Sequence, residues 1–228
     1  MRSSWLLLIS LAAAGSANAW PQGSTEIEYD ISCEGRELAS LVERVELSGN
    51  SYRMTETSQG KGIYALLGTA KRTSRGSIEG GMLRPEEFSD ERTGRATARA
   101  WFDWKAQTVT MQHSGPKGVE EMPPNTQDRL SFLLAVALMP GHSKHMKFSI
   151  FDGKGQSRHE YDVGGSERIK TALGEFEVVK VVRRYQPGAK DRAEVWLAVE
   201  PGYLPVRIVN VDKDGSRCEH VAKRISRQ

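Results

Sequence analysis

Apolar and polar positions alternate with period two along most of this chain. Over 25–33, Ile27, Tyr29, Ile31 and Cys33 alternate with Glu26, Glu28, Asp30 and Ser32, the mark of an antiparallel strand packed on one face and wet on the other. Strands are predicted next over 41–47 and 52–57, joined by a tight turn at Gly49-Asn50. The same reading places strands over 71–78, 88–93, 96–104 and 108–111, with a turn at Gly80-Gly81 before Arg84-Pro85. Beyond residue 145 it places them over 146–151, 156–163, 167–171, 175–185, 193–199, 204–211 and 217–225. Asp152-Gly153 and Asp214-Gly215 are turn signals. Over 60–68, glycines flank Ile63, Leu66 and Leu67 at helical spacing, which predicts a short helical turn or an apolar loop.

One stretch departs from this pattern, and it predicts the main helix over 125–139. Asn125 is placed as N-cap with Asp128 completing a capping box, and Pro140-Gly141 stops the helix. Leu130, Leu133, Leu134, Ala137 and Leu138 form one face, while Phe132, Val136 and Met139 make the other apolar too, so every side needs burial. About fourteen residues is too short to span a bilayer. A sheet of about a dozen strands must curl or close to hide its apolar face. The expected fold is therefore mainly β: a strongly curved antiparallel sheet or incomplete β-barrel, with the helix packed in or over the concave face. Ala96, Ala98 and Ala100 share one strand face and leave room for the helix opposite. Neither repeat nor linker interrupts 20–228, so a single β-rich domain is expected there.

The N-terminus reads as a signal peptide over 1–19. Arg2 precedes an apolar run over 5–14, and Ala17-Asn18-Ala19 is a small-x-small cleavage site, so cleavage is expected after Ala19 with export to the periplasm. A retained transmembrane anchor is the rival, and it needs a longer apolar run. Once cleaved, the chain is not expected to span a membrane. The first cysteine is Cys33, which leaves none near the cleavage site for lipid attachment.

The formal net charge of +3 is spread among interspersed signs, which excludes a nucleic-acid footprint. Basic clusters at Lys71, Arg72 and Arg75, and at Arg92, Arg95 and Arg99, read as solvated strand faces and turns rather than an anionic-lipid patch. Cys33 and Cys218 lie near the two ends of the exported chain, and an oxidising compartment makes them a candidate disulfide. The chain-entropy model assigns such a bond roughly 4 to 5 kcal/mol. Two free thiols are the rival, because Cys218 shares its strand face with His220 and Arg224.

Chemistry-bearing motifs are few. His142 and His145 have metal-ligand spacing but lack a third ligand nearby, and no metal or cofactor is expected. His113, His159 and His220 stand alone as strand residues. No nucleophile elbow, phosphate loop, dinucleotide fingerprint or Cys-x-x-Cys occurs, and Glu120-Glu121 and Asp128-Arg129 read as loop and helix-start charges, so no enzyme activity is expected. Aromatics gather at strand ends, and a concave apolar face could take an apolar ligand. The candidate ligand-binding residues are Tyr64, Leu67, Phe102, Trp104, Phe132 and Trp196.

Several phrases occur together in a recognisable order: Gly62 to Gly68, Gly81-Met82-Leu83-Arg84-Pro85 with Phe88 and Arg92, Ala100-Trp101-Phe102-Asp103-Trp104, Gln127-Asp128-Arg129-Leu130-Ser131, Trp196-Leu197-Ala198, and Gly202 to Ile208. In order and spacing they resemble the DUF3108 family of exported bacterial proteins. The resemblance implies a periplasmic β-rich domain of a Gram-negative bacterium and carries no catalytic or binding residues. Three functions compete. The first is binding or carrying a lipid or other apolar or amphipathic envelope molecule. The second is a non-catalytic structural or interaction module that docks an envelope protein. A hydrolase without a recognisable motif is the third.

Overall fold

The computed structural model describes residues 22–138, 143–185, 188, 191–200 and 202–228. The signal segment with its cleavage point, the helix end at Met139, the Pro140-Gly141 stop and His142 lie outside the described residues, as does the side chain of Leu67.

Antiparallel pairing starts at the two ends of the chain. The alternating segment β1 (Gly23–Cys33) lies between β2 (Arg36–Ser48) and the last strand, β15 (Arg217–Arg227). From β2 the chain meanders outward through β3 (Ser51–Gly60), β4 (Thr69–Glu79), β5 (Met82–Arg92), β6 (Ala98–Asp103), β7 (Thr108–Gln112) and the edge strand β8 (Gly118–Glu121). On the other side of β15 lie β14 (Leu204–Val211), β13 (Arg192–Ala198), β12 (Gly174–Arg184), β11 (Gln156–Thr171), β10 (His145–Phe151) and β9 (Thr126–Asp128). The result is one open, curved, 15-stranded sheet. Cys33 pairs with Cys218 in the central ladder, and the two form a disulfide there. The bond staples the first strand to the last at mid-sheet.

Bulges bend this sheet and account for two departures from expectation. Pro85 lies inside β5 rather than ahead of a strand that starts at Phe88, opposite Gly76 where the register shifts, a place where a proline is tolerated. Residues 156–171 form one strand instead of two, because the register slips across Gly164-Gly165 without ending the pairing. A fourteen-residue helix does not form. The helix α1 spans Ser131–Leu138, and residues 126–128 instead pair as a parallel strand with Ser149, Ile150 and Phe151. The cap has moved three residues along. Asp128 Oδ1 accepts hydrogen bonds from the N–H groups of Leu130 and Ser131, both at 2.7 Å, while Ser131 Oγ accepts from Asp128 N–H at 2.9 Å. This is a reciprocal capping box, and it leaves Asn125 outside the helix with φ of 53°.

The expected burial of the helix on all sides holds. Leu134, Ala135, Val136 and Ala137 are buried, and Phe132, Leu133 and Leu138 pack half-buried on the same core. Its neighbours, however, are β5, β9 and β10 rather than the alanine face of β6. That face receives the β10–β11 turn. Gly153 there has φ of +80°, and a Cβ on it would come within 2.5 Å of Arg99 N. Only glycine allows so close an approach. Beside it, Phe151 meets Phe102 edge-on, with centroids 6.1 Å apart. Gln127 Nε2 donates to Leu83 O at 2.9 Å across the same junction. The far end of the sheet is thus folded back onto β4, β5 and β6, and one core serves both halves.

Candidate functional site

Antiparallel order gathers the β3–β4, β5–β6, β7–β8 and β10–β11 connections on one rim. Where the folded-back turn meets the β5–β6 and β7–β8 connections, a half-open cleft of about 290 Å³ forms, lined by Asp90, Arg92, Arg95, Ala96, His113, Ser114 and Lys154. Cationic side chains dominate it. Among the described residues neither the Arg95 guanidinium nor the Lys154 ammonium has an ion-pair partner, and His113 Nδ1 is a buried atom without a hydrogen bond. A buried donor or acceptor is costly to leave unpaired.

A charged row within the sheet anchors the cleft. Glu43, Glu56, Arg72 and Asp90 face one another in successive ladders of β2, β3, β4 and β5, on the face that carries the core residues Val45, Met54 and Phe88. Arg72 is hydrogen-bonded to Glu56 and stands 3.4 Å from Asp90 Oδ2. Asp90 in turn accepts from Arg92 Nε at 3.1 Å and Nη2 at 2.8 Å. Burial pushes the Asp90 carboxyl up, but the Arg92 hydrogen bonds and the Arg72 charge outweigh it and hold the pKa below the ordinary value. Arg92 is therefore fixed by an ionised carboxylate where it lines the cleft. At the far end of the row Glu43 is buried, and desolvation followed by the Glu56 charge raises its pKa to about 8.

The arrangement can hold an anion: a phosphate, sulfate or carboxylate group, bound by Arg95, Lys154 and Arg92. Proton-transfer chemistry is less well served. A chain of contacts runs from Ser157 Oγ to His159 Nε2 at 3.1 Å and from His159 Nδ1 to Tyr161 OH at 3.2 Å. Burial, then the charges of Arg183 and Arg129, lower the His159 pKa to about 4, so this imidazole is a weak base for a serine hydroxyl. Among the described residues no group of three or more His, Cys, Asp or Glu could hold a metal ion, and no helix is long and apolar enough to cross a membrane.

The aromatic residues expected around an apolar ligand are not gathered in one place. Phe102 lies in the core against Phe151, and Phe132 stacks on Tyr161 at 6.1 Å. Trp104 donates from Nε1 to Pro85 O at 2.7 Å, beyond the end of β6 opposite the rim. Trp196 is buried on a separate part of the sheet beneath Lys180 and Arg207, whose cations lie 4.7 and 4.8 Å from its ring, and donates to Glu167 Oε1. Tyr64 stands half-buried on the rim in the β3–β4 connection beside Leu67. Of the cleft residues, Arg92 and Arg95 lie in a cluster that reads as solvated surface in sequence, and His113 reads as a lone strand residue. Lys154 carries no sequence signal beyond its place after the Asp152-Gly153 turn.

No curated protein matches the chain. Solved structures similar to it include a Bacteroides fragilis protein described as exported with a YmcC-like fold, at 14% identity and TM-score 0.39, with 90% of this chain and 96% of that one covered. Another is a Parabacteroides distasonis protein described as a lipoprotein, at 11% identity and TM-score 0.34, covering 91% and 96%. A third is a Vibrio parahaemolyticus domain described as an outer membrane lipoprotein-sorting protein domain, at 10% identity and TM-score 0.28, covering 93% and 88%. Likeness at this level carries no argument about function. The model of one family, described as proteins of unknown function (DUF3108), matches residues 28–219, and the chain belongs to that family.

Proposed function

We propose that this is an exported cell-envelope protein that binds the anionic head of an amphipathic envelope molecule in the rim cleft. The observation that carries this reading is the convergence of Arg92, Arg95, Lys154 and the unsatisfied His113 Nδ1, from three separate connections, on one cavity of about 290 Å³. The signal-like segment over 1–19 and the Cys33–Cys218 disulfide support export. The interior favours a head-group site over a lodged apolar chain: Leu134, Phe88, Phe102 and Phe151 fill the concavity in one cluster.

Calorimetric titration of the oxidised protein tests the reading with inorganic phosphate, glycerol 1-phosphate, dihexanoyl phosphatidylglycerol and the uncharged amphiphile octyl glucoside. Anion binding that weakens about tenfold or more in an Arg95→Glu, Lys154→Glu double variant is expected. The phosphatidylglycerol should bind more tightly than phosphate alone. Equal affinity for both would point to a free anion as ligand, and no binding of any anion would end the proposal. A second reading, a docking module for an envelope protein, is favoured by β8, an edge strand exposed along all four residues with Val119 turned to solvent. Crosslinking in cells that traps one dominant neighbour through β8 would favour it instead.

A further inference from the structure

The rim carries a second feature that the cleft does not use. Between β3 and β4 the chain forms a six-residue 3-10 helix, Gly62–Leu67, on which Ile63 is 77% exposed and Leu66 91% exposed. These are two of the largest apolar exposures among the described residues. The segment is held firmly. Lys61 N–H donates to Leu38 O, Tyr64 N–H to Lys61 O and Gly68 N–H to Ala65 O, and Lys61 Nζ binds Asp30 and Glu37. Its exit is locked onto the β5–β6 connection. Thr69 N–H donates to Thr93 Oγ1 at 3.0 Å, and Gly68, at φ of +78°, lies so close to Thr93 that a Cβ would meet that side chain at 2.4 Å. Two bare apolar side chains are thus presented on a braced turn, where folding alone would favour hiding them.

Position gives them a partner. Thr93 lies between Arg92 and Arg95 of the cleft, so the apolar knob and the unpaired cations of Arg95 and Lys154 share one side of the rim. Apolar side chains beside unpaired cations match an anionic lipid surface, where acyl chains take the first and phosphates the second. We propose that Ile63 and Leu66 insert into an anionic membrane surface and dock the rim on it, with the cleft facing the lipid head groups. The choice of an anionic lipid rests on the cleft reading; the insertion itself rests on the knob.

Sedimentation with sucrose-loaded vesicles tests this on the oxidised protein, comparing phosphatidylglycerol mixed into phosphatidylcholine with phosphatidylcholine alone. Wild type should bind the anionic vesicles. An Ile63→Asn, Leu66→Asn double variant should keep its melting temperature, since both side chains are exposed, and lose about tenfold or more of that binding. Leu66→Trp supplies a second readout: its emission should be quenched by brominated lipids in excess of the native tryptophans. Wild-type binding by the asparagine variant, or no extra quenching in L66W, would overturn the proposal. Phosphate titrating the cleft without any vesicle binding would overturn docking and leave the cleft reading standing. Knob-dependent vesicle binding without a phosphate response would do the reverse. Capture of a protein through the knob by a variant-sensitive crosslink, with vesicles unbound, would also overturn it.

Discussion

Ser74 Oγ on β4 donates a 2.5 Å hydrogen bond to Asp128 Oδ2 on β9, joining a strand of the N-terminal half to the edge strand of the other half. The same carboxylate caps α1 through its second oxygen. One buried side chain therefore holds both the helix start and the fold-back of the sheet. Asp128→Ala should cost about 2 to 4 kcal/mol, through the lost cap and the stranded partners. Asp128→Asn, which retains an acceptor for the cap, should cost less. Urea unfolding of the two variants measures the difference.

Leu134 is 1% exposed at the centre of α1. Truncation to alanine should destabilise by about 2 to 5 kcal/mol, as for a buried leucine whose cavity does not collapse. A helix acting as a mobile lid would give a much smaller loss. Chemical denaturation distinguishes the two.

Gly153 brings the β10–β11 turn against Arg99, and the next residue, Lys154, lines the cleft. Gly153→Ala needs a left-handed backbone and a displaced neighbour, so it should cost about 1 to 3 kcal/mol. Phosphate affinity should fall with it, because Lys154 moves with the turn. A melting curve and a phosphate titration on the same sample check both.

The Cys33–Cys218 bond closes a loop with a sequence separation of 185 residues. In the chain-entropy model its removal by Cys33→Ser, Cys218→Ser lowers stability by about 5 kcal/mol. The double-serine protein should melt markedly lower than the oxidised wild type, and addition of reductant should leave the variant unchanged.

Glu43 titrates near 8 in the folded chain against an ordinary value of 4.5, from burial first and the Glu56 charge second. The raised value means that the unfolded chain releases its proton first. The contribution to stability is full below about pH 4.5 and is lost as pH rises through about 8. Glu43→Gln should flatten this decline, leaving the variant more stable relative to wild type at pH 8 than at pH 5. Denaturation midpoints at the two pH values provide the comparison.

Much of the fold was legible because it depends on local alternation. Ile27, Tyr29 and Ile31 must share a face in any strand, so β1 could be read without knowing its partners. The sequence extends the helix over 125–139 for a physical reason: Thr126, Gln127 and Asp128 are compatible with a helix start, and only the presence of Ser149 to Phe151 alongside makes them a strand. The alanines of β6 correctly announced a close neighbour, but Gly153 and Phe151 supply it, not the helix. The disulfide was one of two readings from sequence; the register that sets Cys33 beside Cys218 decides between them.

By itself, the sequence determined the β-rich class, the presence of an apolar helical segment and turns such as those at Asp152-Gly153 and Asp214-Gly215, since these follow from the period of the side chains and from glycine and proline chemistry. Tertiary structure alone decided the cleft. Arg92, Arg95, His113 and Lys154 are separated along the chain and carry no shared period. They meet only because bulged strands curl a 15-stranded sheet until the β10–β11 turn rests on β6.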